Sequence, residues 1–176
     1  MNIVTSRLQL RPFTEQDLKD VFEYCSQKGV GEMAGWSVHE SIEQTEKILS
    51  DWVIQGRKLA IVWHESGKVI GHISIDEDSE EGRNDTREFG FVLNRDYHRQ
   101  GIMSEAINAV LDYLFNHEIS YVWACCFQDN LASKRMIEKC GFVFQQEGTY
   151  TSKDFDKRLS YEYRLSSKEW KNKHKN

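Results

Sequence analysis

Between Arg87 and Ala106 the chain reads REFGFVLNRDYHRQGIMSEA, and no other stretch restricts the fold as much. Apolar residues alternate from Glu88 to Leu93, the two-residue period of a strand. A short polar turn follows, then Arg99-Gln100-Gly101, and a helix opens at once through Ser104-Glu105-Ala106. The first helical turn carries backbone N–H groups without intrahelical partners, and the helix dipole adds partial positive charge there. Gly101 removes a side chain where a ligand would approach, and Arg99 supplies a cation beside it. The order strand, glycine turn, helix suits a phosphate or pyrophosphate. A turn that needs glycine only for its φ would read the same way.

A chain of 176 residues suits one domain over 1–176, with a core from about residue 5 to 166. Five Trp, seven Tyr and nine Phe within 39% hydrophobic residues point to a packed interior rather than disorder. The beginning, MNIVTSRLQLR, has no apolar run of signal-peptide length, and no window approaches a membrane span. The expectation is a cytoplasmic protein with no membrane partner. Cys25, Cys125, Cys126 and Cys140 form no C-x-x-C pair, so reduced thiols and no bound metal are expected. A net charge of −5 argues against a nucleic-acid partner and fits a cationic one such as an amine.

Leu8 and Leu10 alternate with polar residues in a first strand ending near Pro12. Thr14-x-x-Asp17 starts a helix whose buried face is Leu18, Val21, Phe22 and Cys25. A glycine-punctuated loop carries Trp36. Ser41 then opens a second helix with Gln44 as capping-box partner and Ile42, Thr45, Ile48, Leu49 and Trp52 as its stripe. Residues 59–64 and 69–75 form a hairpin, and the acidic segment 76–85 leads into the opening strand. After Gly101 the helical stripe is Ala106, Ile107, Val110, Leu111, Leu114 and Phe115. YVWACCF (121–127) is a strand covered on both faces, SKRMIEKCGF a short helix closed by Gly141, and 142–150 and 157–165 are final strands. The order is β-α-α-β-β-β-α-β-α-β-β, a mixed α/β domain.

Three segments together carry a family resemblance. Tyr97-His98-Arg99-Gln100-Gly101-Ile102-Met103-Ser104-Glu105-Ala106 is similar to a (Q/R)-x-x-G-x-(G/A) pyrophosphate loop. Asn130-Leu131-Ala132-Ser133-Lys134-Arg135-Met136-Ile137-Glu138-Lys139-Cys140-Gly141-Phe142 resembles N-x-x-S-x-(K/R)-x-x-E-K-x-G-F. Arg7-Leu8-Gln9-Leu10-Arg11-Pro12-Phe13 before a helix completes the set. In this order and spacing they resemble the GNAT superfamily of acetyl-CoA-dependent N-acetyltransferases. The branch most similar is the one that acetylates ribosomal-protein N-termini at alanine or serine, in which homodimers are common. The resemblance implies a central, mostly antiparallel sheet with a splayed parallel pair and flanking helices. Three positions depart from the pattern: His98 stands for Gln or Arg, Met103 for a small residue, and Ile137 for a tyrosine general acid.

The implied reaction is acetyl transfer from acetyl-CoA to a primary amine, directly within a ternary complex. It needs a neutral amine, an aligned thioester, oxyanion stabilisation and a proton for the thiolate. By resemblance, Phe91, Val92 and Leu93 offer main-chain contacts to the pantetheine and thioester, while Arg99, Gln100, Gly101, Met103 and Ser104 hold the pyrophosphate. Glu88 is the candidate base, acting through water, with an ordinary strand carboxylate as the competing reading. His72, on a strand bordering the same cleft and acceptor, is the rival base, with a half-buried histidine satisfied by hydrogen bonds as the favoured competing reading. Asn130 is placed against the pantetheine and Ser133 against the sulfur as donor or relay, though either can also cap a helix. Arg135 is read either as a contact to the cofactor phosphates or as a solvated helix-face residue. Trp36 and the acidic loop would border the acceptor. A covalent intermediate on Cys125 or Cys126 is not expected, since neither shows a feature that would lower its pKa. The expected acceptor is a protein N-terminal α-amine. The alternatives are a polyamine, amino acid or aminoglycoside, or a non-catalytic CoA-binding module.

Overall fold

The computed structural model describes residues 1–152 and 154–174. The first half holds β1 (Ile3–Val4), β2 (Leu8–Pro12), α1 (Leu18–Cys25), α2 (Ile42–Gln55), β3 (Lys58–Trp63), β4 (Val69–Glu77) and β5 (Thr86–Leu93). The second holds α3 (Ile102–Phe115), β6 (Tyr121–Phe127), α4 (Leu131–Lys139), β7 (Val143–Tyr150), β8 (Arg158–Ser166) and α5 (Ser167–Lys173). The strands make one eight-stranded sheet in the order β1-β2-β3-β4-β5-β6-β8-β7. All neighbours are antiparallel except β5 and β6, which run parallel from Thr86 opposite Tyr121 to Phe89 opposite Ala124. Beyond that pair β5 continues to Leu93 and β6 to Phe127 with no further pairing between them. The sheet therefore splits into a V in its middle, as the resemblance implies.

Alternation sorts the sheet into two faces. Ile61, Ile73, Phe89, Val122 and Ala124 pack under α3 and α4, where Ala106, Ile107, Val110, Leu111 and Ile137 meet them. Ala60, Val62 and Val92 face Val21, Tyr24, Cys25 and Leu49 of α1 and α2. Gly71 has a local reason: a Cβ there would run into the Val92 carbonyl oxygen of the neighbouring strand. Gly101 takes φ 74° as the N-cap of α3, and Arg99 two residues earlier takes φ 61°, which is costly for a residue with a side chain.

Several details differ from the sequence expectation. On α1 the fully buried aromatic is Tyr24 rather than Phe22, because its hydroxyl finds His72 Nδ1 at 3.0 Å. On α2, Ser41 Oγ caps the Gln44 N–H as expected, but the Gln44 side chain accepts from the Glu40 N–H, one residue before the cap. β1 and α5 are additional elements. α5 is a short, polar segment whose signal is the capping box Ser166-x-x-Glu169; it is anchored by Trp170, 3% exposed, whose indole donates to Asp112 Oδ1 at 2.7 Å.

The start of β2 is tied to the start of α3. Arg7 Nε donates to Glu105 Oε2 at 2.7 Å, Thr5 Oγ1 to Oε1 at 2.6 Å, and Arg7 Nη1 to the Gln100 carbonyl at 3.0 Å. Burial pushes the Glu105 carboxyl up, but the hydrogen bonds from Thr5 and Arg7 outweigh it and hold the group below its ordinary value. This clamp fixes the glycine turn from behind and leaves its front clear. Arg7→Met should lower stability by about 1–2 kcal/mol after screening at the exposed edge, read as a lower Tm. An unchanged Tm together with unchanged amide exchange at residues 100–105 would show that the clamp holds nothing.

Candidate active site

The V between β5 and β6 opens into a continuous cleft of about 1160 Å³. One end lies at the mouth of α3. Gly101 in the left-handed conformation turns the chain so that the first-turn amides of Ile102, Met103 and Ser104 stand where a helix has no internal acceptors for them. The side chains of Arg99, Arg135 and Lys139 line the same end, and those of Arg99 and Arg135 have no ion-pair or hydrogen-bond partner among the described residues. Free amides, a helix dipole and unpaired cations together make an anion cradle. Gln100, expected at the pyrophosphate, does not line the cleft: its side chain turns back to the Asp96 carbonyl at 3.2 Å and its own carbonyl accepts from Arg7 Nη1 at 3.0 Å. Met103 is 8% exposed, packs into the core and also lines the cleft at this end.

The middle of the cleft is main chain and small polar groups. Phe91, Val92 and Leu93 line it along the unpaired edge of β5. The Leu93 carbonyl accepts from His98 Nε2 at 3.0 Å, which engages that oxygen and gives His98 a structural task. Opposite, Asn130 caps α4: its Oδ1 accepts from the Ser133 N–H at 3.1 Å and its Nδ2 donates to the Met33 carbonyl at 3.4 Å. Ser133 lines the cleft with its hydroxyl unengaged by protein groups among the described residues. Ile137 is fully buried and does not line the cleft, so it takes no part in proton transfer.

At the far end stand Trp36, Lys58, His72, Ser74, Asp76, Glu88 and Tyr150. Glu88 sits opposite Asp76 across β4 and β5, and Ser79 Oγ donates to its Oε2 at 2.7 Å. Burial pushes its carboxyl up; the Ser79 hydrogen bonds pull it down, and the neighbouring Glu80 and Asp76 add to the rise, leaving it above the ordinary value. His72 is 4% exposed, and burial, then Lys58 and His39, hold its pKa well below the usual range, so it is neutral near pH 7. Trp36 is half-buried and tilts against His39 with ring centroids 5.1 Å apart. In the acidic segment, Asp76 belongs to β4 and lines the cleft, whereas Asp78 closes the hairpin tip by accepting from the N–H groups of Glu80 and Glu81 at 2.7 and 3.0 Å.

Sequence reasoning passed over Tyr150 and Lys58. Tyr150 ends β7, packs edge-on against Phe127 at 5.5 Å, and keeps its phenol protonated because burial, chiefly, raises it. β7 lies at the sheet edge, and packing against Phe127 at the end of β6 and over Gly35 brings its last residue to the cleft, which no local pattern announces. The thiols are poor nucleophiles: burial pushes Cys126 up to about 11 and Cys125 further. Among the described residues no group of three or more His, Cys, Asp or Glu is arranged to hold a metal ion, and no helix is long and apolar enough to cross a membrane.

Comparison with known proteins gives this geometry a family. An acetyltransferase (GNAT) domain matches residues 7–143. The uncharacterized N-acetyltransferase YoaA of Bacillus subtilis is 32% identical over 150 residues, covering 82% of both chains. YnaD of the same organism, also an uncharacterized N-acetyltransferase, is 28% identical over 174 residues, 97% of this chain and 99% of its own. A GNAT-family acetyltransferase of Bacillus anthracis superposes with a TM-score of 0.83 at 25% identity, covering 96% of this chain and 99% of that one. The split sheet, the anion cradle at α3 and these matches agree, and the chain belongs to the GNAT acetyltransferase family.

Proposed function

We propose that this N-acetyltransferase moves the acetyl group of acetyl-CoA onto a protein N-terminal α-amine, by direct transfer within a ternary complex. The observation that carries the reading is the single cleft running from the α3 amides, past the unpaired edge of β5, to the raised carboxyl of Glu88. The residues fit such a donor. Arg99 and Arg135 with the amides of residues 102–104 offer a seat for a pyrophosphate, and the backbone of Phe91 to Leu93 with Asn130 offers partners to an amide-rich arm. Acetyl-CoA supplies the activated acyl group. The choice of an N-terminal amine rests on the resemblance of Asn130–Phe142 to that branch, with a small-molecule amine as the alternative.

In this scheme the amine nitrogen bonds to the acyl carbon and the carbon–sulfur bond breaks. Glu88 collects the proton lost by the amine, through water, and the departing sulfur takes one from Ser133 Oγ or the Tyr150 hydroxyl. An acetyl-CoA consumption screen over N-terminal peptides and small amines tests the acceptor. Turnover confined to small amines would move the assignment to the alternative.

Two variants test the roles. A base must be ionised, and the Glu88 carboxyl is raised, so activity should fall with decreasing pH at a higher pH than an ordinary carboxylate would dictate. Glu88→Gln should lower kcat by about 10²–10³-fold and abolish that acid limb. A retained limb would transfer the role to another group, His72 being next to test. Ser133→Ala should reduce kcat by about 10–100-fold with CoA affinity within a factor of about three. A larger loss in Tyr150→Phe than in Ser133→Ala would give the proton to Tyr150.

A further inference from the structure

The acceptor end of the cleft carries two nitrogen groups that the scheme above leaves without partners. Lys58 opens β3, lines the cleft and packs its ammonium 5.3 Å from the Trp52 ring centroid. Among the described residues it makes no salt bridge within 4.0 Å and no hydrogen bond through Nζ. Asp76 lies two residues along β4 from its strand partner Ser74, and its charge opposes the burial that lowers the Lys58 pKa. His72, 4% exposed, spends Nδ1 on the Tyr24 hydroxyl, and its Nε2 has no protein partner although the residue lines the cleft. The Tyr24 hydroxyl is able to donate to Nδ1, and the tautomer this selects carries its ring proton on Nε2, toward the cleft. His39 lies behind His72 and is occupied by Thr45 Oγ1 at 2.8 Å.

Strand register sets these groups against the base. Lys58 pairs with Ser74, and Ser74 with Gly90; Glu88 lies two residues along β5 on the same face. That spacing separates the Lys58 and Glu88 Cα atoms by about 12 Å, so their side chains bracket the floor between them. The floor is low: Gly90 has no side chain, and a Cβ there would come within 2.6 Å of Ser74 Oγ. One end of this space offers N–H donors without acceptors, the other a carboxylate that receives a proton. Unsatisfied donors in a half-buried wall are costly until something accepts from them.

We propose that the acceptor carries a carboxylate as well as the amine, with Lys58 Nζ and His72 Nε2 holding the carboxylate while the amine lies toward Glu88. This rests on the acetyl-transfer reading and narrows its substrate class to amines bearing an anion. The carboxylate has two possible sources, a free amino acid or an acidic side chain at the start of a peptide.

The test compares kcat/KM at saturating acetyl-CoA for ω-amino acids of increasing length against their amides, and for peptides beginning Ser-Asp against Ser-Asn. The carboxylate member of at least one series should be preferred by tenfold or more, and the series in which this occurs identifies the source. Lys58→Met should cut that preference at least tenfold, and Lys58→Arg should restore part of it. Calorimetric binding of an N-acetylated amino acid and its amide to the CoA-loaded protein reads the same preference without turnover. Equal use of acids and amides, or a Lys58→Met loss in the same proportion for both, would overturn the proposal and leave Lys58 as a counter-charge to Asp76. Turnover with none of these amines and none in the wider acceptor screen, alongside intact CoA binding, would instead overturn the acetyl-transfer reading beneath it.

Discussion

Everything functional in this molecule depends on where the pairing of β5 with β6 stops. Through Phe89 and Ala124 the two strands share a parallel ladder; one residue later the ladder ends while both strands run on. β5 stays registered to β4 as far as Leu93, so it is rigid along one edge and unsatisfied along the other. An unpaired backbone edge inside a protein is costly unless water or a ligand meets it. The same divergence makes room for α3 to begin beside the gap, which puts helix amides and strand amides into one cavity.

Charge is distributed along that cavity with a purpose that composition conceals. The chain as a whole carries −5, yet Arg99, Arg135 and Lys139 gather at the α3 mouth while Asp76 and Glu88 stand at the other end. The one acidic residue in the first turn of α3, Glu105, is turned away and neutralised by Arg7. Without that clamp a carboxylate would lie beside the anion cradle, and charges about 4 Å apart interact by several kcal/mol at the dielectric of a protein surface. Lys58 reverses the pattern at the Glu88 end, an ammonium on an acidic side of the cleft.

Much of this was legible in the residues, for particular reasons. The strand–glycine–helix of Arg87–Ala106 is local, so its chemistry survives without tertiary information, and the buried stripe of α3 appeared where period 3.6 placed it. Asn130 and Ser133 became candidates through the resemblance, with helix capping as the alternative; Asn130 does cap α4, and it also reaches Met33. Tyr150, Lys58 and the Tyr24–His72 pair were not legible. Tyr150 reaches the cleft through tertiary packing on Phe127 and over Gly35, and Lys58 looks like any charged strand end until the register sets it opposite Ser74. α5 escaped because a short, polar helix has no apolar stripe, and one tryptophan does its anchoring.

In the proposed scheme one cleft receives the donor, from the α3 amides to the split edge of β5. Backbone hydrogen exchange with and without CoA measures this directly. Protection concentrated in residues 90–104 and 125–135, with little change in β2, β3 and α2, is the predicted result. Protection elsewhere, or none in the segment from Gly101 to Ser104 at saturating CoA, would contradict it.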